Sequence, residues 1–115
     1  MCGEINEKRP QLVPLSETMH YILLALRQPL HGYSVMTYVQ ELSLGEVQIA
    51  AGTLYGALEN LSKHGYIQMI SDPKERRKVY QITARGEEIL KLETERLQHL
   101  VSLYQQGGSL DESTL

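Results

Sequence analysis

The sequence predicts a mainly helical domain in the order α-α-α-β-β-α, and three observations predict it. Apolar residues recur at helical spacing in three stretches before residue 65. Two strand-like runs, 66–70 and 78–82, flank a seven-residue turn that contains Asp72 and Pro73. A last stretch, 83–106, carries a broad apolar band and stops at Gly107-Gly108.

Each element has its own justification. Residues 1–14 hold Gly3, Asn6, Pro10 and Pro14 among mixed charges and read as a flexible arm. Ser16 is placed to cap the first helix, whose buried face is Leu15, Met19, Ile22, Leu23 and Leu26, and Pro29 stops it. Leu30-His31-Gly32-Tyr33 reads as a turn into the second helix, with Tyr33, Met36, Val39 and Leu42 as its inner stripe. Val47-Gln48-Ile49 reads as an extended link able to pair with the later hairpin. The third helix spans about 51–64, with Ile49, Leu54, Leu58 and Leu61 inward. Gly65 ends it, since glycine adopts the left-handed conformation without steric cost. Thr83 caps the last helix, with Glu87 near the position that completes a capping box.

Composition narrows the function. A chain of 115 residues is one domain, small enough to gain from pairing with a copy of itself. No apolar run approaches the ~18 residues of a membrane span, and the acidic N-terminus is no signal peptide. One cysteine, Cys2, excludes an internal disulfide and a thiolate zinc site, and a cytoplasmic location is the simplest expectation. The four histidines fall at no metal-ligand spacing. No nucleophile elbow, phosphate loop or HExxH sequence is present, and Glu87, Glu88, Glu93 and Glu95 read as solvated helix charges. The expectation is a non-enzyme without cofactor or metal.

Net charge is −3, but its distribution is uneven. Residues 63–85 hold six cations against two acids, a net +4, which leaves −7 for the rest. A small helix followed by a cationic hairpin suits a DNA duplex, with the helix in the major groove and the hairpin on a flanking phosphate row.

The element order and several short motifs resemble the PadR family of winged helix-turn-helix transcriptional regulators. The matching residues are Leu30-His31-Gly32-Tyr33, Gly52-Thr53-Leu54-Tyr55 with Leu58 and Leu61, Gly65-Tyr66-Ile67, Arg77-Lys78-Val79-Tyr80, and Ile82-Thr83 with Gly86. The match covers about 15–104 and fits the compact branch with a single C-terminal helix. Gly56 departs from it, because the family usually has Pro after the Leu-Tyr pair.

The resemblance implies a two-stranded wing and a division into an arm (1–14), a DNA-binding domain (15–83), a dimerisation helix (84–106) and a flexible tail (107–115). It implies DNA contacts from Thr53, Tyr55, Gly56, Asn60 and Lys63 on the third helix, and from Lys74, Arg76, Arg77, Lys78 and Tyr80 on the wing. A homodimer joined through Ile89, Leu97, Leu100, Val101 and Tyr104 would bind a palindromic operator. Repression would be relieved by a small hydrophobic or aromatic effector near Met19, Tyr21, Leu97 and Tyr104. The alternative is a winged helix that binds protein instead of DNA, against which the polar Thr53, Asn60 and Lys63 speak.

Overall fold

The computed structural model describes residues 13–107. The expected arm before residue 13, with Cys2, and the tail after 107 lie outside the described residues. Among the described residues four helices and three strands follow one another: α1 (Glu17–Ala25), β1 (Leu30–His31), α2 (Gly32–Leu42), α3 (Ala51–Lys63), β2 (Ile67–Met69), β3 (Val79–Ile82) and α4 (Ala84–Gln105). This is a winged helix: mainly helical, with a small antiparallel sheet.

Local chemistry sets the helix ends where the sequence signals them. The Ser16 hydroxyl accepts from the Met19 N–H at 3.1 Å and opens α1. Thr83 opens α4 by accepting from Gly86 N–H at 3.0 Å, while its own hydroxyl donates to the Gly65 carbonyl at 2.6 Å. Gly65 has φ +76°, the left-handed turn that separates α3 from the wing. The Glu87 carboxylate completes no capping box. It accepts from Arg27 Nε at 3.1 Å and ties α4 to the end of α1.

The sheet has a strand the sequence did not reveal. Its order is β1-β3-β2, so Leu30–His31, expected as a turn, pairs with the wing's return strand: Leu30 faces Tyr80 and His31 faces Val79. Residues 47–49 form no strand. Ile49 instead drops into the core. Within the hairpin Ile67 faces Ile82 and Met69 faces Tyr80.

The core gathers Ile22, Leu23 and Leu26 from α1, Val35 and Val39 from α2, Leu54, Leu58 and Leu61 from α3, Tyr66 and Ile67 from the wing, and Ile89 and Leu90 from α4. The buried stripe of α2 keeps the expected Val39 but runs through Gly32 and Val35 in place of Tyr33 and Met36, and Leu42, expected inside, is exposed. Tyr33, expected inside, is 67% exposed.

Glu93 also differs from expectation. It is 6% exposed, and its carboxylate accepts from the Leu15 N–H at 2.8 Å and from Arg96 at 3.0 Å. Burial pushes this carboxyl up, but the Arg96 hydrogen bond, the Leu15 N–H and the charges of Arg96 and His20 outweigh it and hold the group below its ordinary value. Across from it on α1, burial drives the His20 imidazole below its ordinary value, against the pull of Glu93 and with Arg96. In both groups the fold favours the deprotonated form, so acid destabilises. His20 begins to withdraw stability as pH falls past its ordinary 6.5. The Glu93 contribution is complete above the ordinary 4.5 and is lost as pH falls through its lowered value. Melting temperatures in a pH series should therefore fall in two stages, and Glu93→Gln should abolish the lower one.

Candidate nucleic-acid interface

Helix α3 turns Leu54, Ala57, Leu58 and Leu61 into the core, which leaves Gly52, Thr53, Tyr55, Gly56, Glu59, Asn60 and Lys63 on its outer surface. Its N-cap is Ala50, without a side-chain cap, so the Thr53 hydroxyl is not spent closing the helix. Gly52 and Gly56 lie one turn apart on the exposed ridge, and a methyl group built on either meets nothing within 4 Å. The ridge is flat, so another surface can come close to the backbone. Gly56→Ala should therefore raise stability by about 0.5–1 kcal/mol, read as a higher denaturation midpoint, since it removes glycine's entropic penalty without a clash.

The wing stands beside this ridge, and its turn is fixed by polar contacts. Asp72 accepts from the Lys74 N–H at 2.9 Å, and Ser71 Oγ accepts from the Val79 N–H at 3.0 Å. The Lys78 ammonium folds inward and donates to the Pro73 and Glu75 carbonyls, so it braces the turn. Lys74, Arg76 and Arg77 are exposed and form no ion pair among the described residues. Three exposed cations thus extend from a hydrogen-bonded turn. Tyr80 is half-buried against the core and borders, with Tyr55, a groove between α3 and the wing. Burial, with Tyr55 beside it, pushes its phenol above the ordinary value, so the hydroxyl remains a neutral donor.

Tyr55 is half-exposed, and its ring meets the start of α2. A methyl on Gly32 would stand 3.2 Å from Tyr55 Cε1. This brings together a small cleft of about 180 Å³ lined by His31, Gly32, Tyr33, Tyr55, Arg76, Arg77 and Lys78. Tyr33 is not among the contact residues expected from the sequence. The signal was the spacing of Gly32, Val35 and Val39, which turns Tyr33 outward.

The second group of expected residues follows α4. Gly86, Leu90, Glu93, Leu97, Leu100 and Tyr104 alternate at steps of four and three, the spacing of one continuous helix seam. The first three pack into the chain's own body, and Ile89 does so too, which leaves it little surface for a partner. Beyond them Leu97 is 41%, Leu100 48%, Val101 55% and Tyr104 88% exposed. Of the expected effector residues, Tyr21 and Leu97 line one cavity of about 460 Å³ together with Leu15, Glu17, His20 and Leu24, while Met19 and Tyr104 lie outside its lining.

Residues 22–92 match the transcriptional regulator PadR-like family. The chain belongs to this family. Its members are transcription regulators, not enzymes. The chain is similar to the Bacillus subtilis PadR structure in complex with operator DNA, with 27% identity and a TM-score of 0.57, over 68% of this chain and 45% of that one. Smu.1704 from Streptococcus mutans is similar at 26% identity and a TM-score of 0.59, over 79% and 86% of the two chains. A transcriptional regulator from Clostridium thermocellum shares the fold at 23% identity and a TM-score of 0.64, over 78% and 90%. No curated protein matches the chain. Among the described residues no helix is long and apolar enough to cross a membrane, and no cluster of three or more His, Cys, Asp or Glu could hold a metal.

Proposed function

We propose that this PadR-like protein is a cytoplasmic, homodimeric repressor that binds a palindromic DNA operator. The observation that carries it is the pairing of a flat, polar α3 ridge with the exposed cations Lys74, Arg76 and Arg77 on an adjoining braced turn. Residues 15–83 form the reading head. Thr53, Asn60 and Lys63 face base edges from α3, and the wing neutralises phosphates. The operator-bound Bacillus subtilis PadR supports this reading. Residues 84–106 join two heads through Leu97, Leu100, Val101 and Tyr104, and place two α3 helices roughly 34 Å apart, one turn of B-DNA. A small hydrophobic or aromatic effector occupies the cavity beside Tyr21 and Leu97, and releases the operator by favouring another dimer geometry.

The test is a gel shift with duplex from just upstream of the coding region, across a salt series. The parent protein should retard it with steep salt dependence. Arg76→Ala with Arg77→Ala should flatten the slope of log K against log salt by about 1.8, or 0.9 per lost phosphate contact. Failure of the parent to retard any duplex in dilute buffer refutes the reading.

A further inference from the structure

The inward stripe of Gly32, Val35 and Val39 turns Tyr33, a large aromatic side chain, into the open at the start of α2. The 180 Å³ cleft beside it is lined by a second phenol, Tyr55, and by the Arg76 and Arg77 guanidiniums from the wing. The backbone fixes these groups relative to one another, since Gly32 N–H donates to the Lys78 carbonyl at 3.1 Å and Tyr55 packs against Gly32. His31, also in the cleft's lining, keeps a buried Nδ1 with no hydrogen-bond partner among the described residues. Two phenol hydroxyls and two guanidinium groups line a space with room for one small tetrahedral anion. No carboxylate lines it.

We propose that this cleft seats one backbone phosphodiester of the bound duplex, with Tyr33 Oη donating to it alongside the wing arginines. The inference rests on the DNA-binding reading above and adds a contact from α2, an element outside the reading helix and the wing. The chemistry is sequence-independent, because a phosphate oxygen is the same at every step of the duplex. Tyr33 would thus fix the height of the head on the backbone while α3 reads bases.

The test removes one oxygen. Tyr33→Phe keeps the ring at an exposed position, so its melting temperature should equal the parent's. By fluorescence anisotropy its affinity should fall about tenfold for the upstream duplex and for an unrelated duplex alike, the loss of one charge-assisted hydrogen bond. The salt slope should stay at the parent's value, since no cation is lost. In an Arg76→Ala/Arg77→Ala background the same substitution should cost less than about twofold, because the phosphate is no longer held in the cleft. If the parent binds duplex and Tyr33→Phe binds equally well, the phosphate seat is wrong and the DNA-binding reading stands. A full tenfold loss that persists without the arginines also overturns it, since Tyr33 would then act elsewhere. If the parent binds no duplex, both fall together.

Discussion

Gly86→Ala is expected to destabilise the domain by about 3 kcal/mol or more, at or beyond the upper end for overpacking. A methyl group at this position would stand 2.1 Å from the Tyr66 carbonyl oxygen and 2.7 Å from Ile82 Cγ1. Neither neighbour can retreat. The Tyr66 carbonyl accepts from the Thr83 N–H at 3.0 Å, and Ile82 N–H donates to the Leu26 carbonyl at 2.8 Å. Shifting α4 outward would also pull Thr83 from the Gly65 carbonyl and lift Ile89 and Leu90 from the core. For a domain of this size the loss corresponds to a melting temperature roughly 12–24 °C lower. Thermal denaturation followed by circular dichroism checks it. An unchanged melting curve would show that α4 is not wedged against the wing as described.

Leu97→Glu with Leu100→Glu is expected to give a folded monomer with duplex affinity at least a hundredfold weaker, the avidity lost when two linked heads become independent. Both side chains are half-exposed in the single chain, so the substitutions leave the core intact. In the proposed dimer they would set carboxylates against one another across an apolar seam, where burial of unpaired charge is costly. Sedimentation reports the mass, and a gel shift reports the affinity. A variant that still sediments as a dimer would remove α4 from the interface. One that becomes monomeric but binds as tightly as the parent would remove dimerisation from operator recognition.

Much of the fold was legible because its signals are local. The Ser16 and Thr83 caps, the left-handed Gly65 and the inward stripe of α3 each depend on residues within a few positions. Strand β1 was not legible, because two residues carry no alternation and their partners lie fifty positions along the chain. The start of the α2 stripe was misplaced because Gly32 has no hydropathy to register, while amphipathic Tyr33 imitates a core residue at the spacing of the correctly placed Val39. Glu93 looked like any helix-surface acid. Its phase with Gly86, Leu90 and Leu97 was the cue that it faces the body of the domain, and its partners, Leu15 and Arg96, make that burial tolerable. The cationic wing could be read as a charge cluster. That Lys78 braces the turn while Arg76 and Arg77 stay available depends on geometry the sequence does not display.

Strand β1 has a mechanical consequence. It fastens the start of α2 to β3, and β3 is bonded in turn to β2, so α2 and the hairpin are joined through one sheet. In the proposed complex each protomer would meet the double helix as one jaw, with the hairpin and α2 moving together. In the proposed assembly the soft coordinate is the gap between two jaws. A molecule wedged near Tyr21 and Leu97 would alter that gap and leave the complementarity of each half to its own stretch of bases untouched.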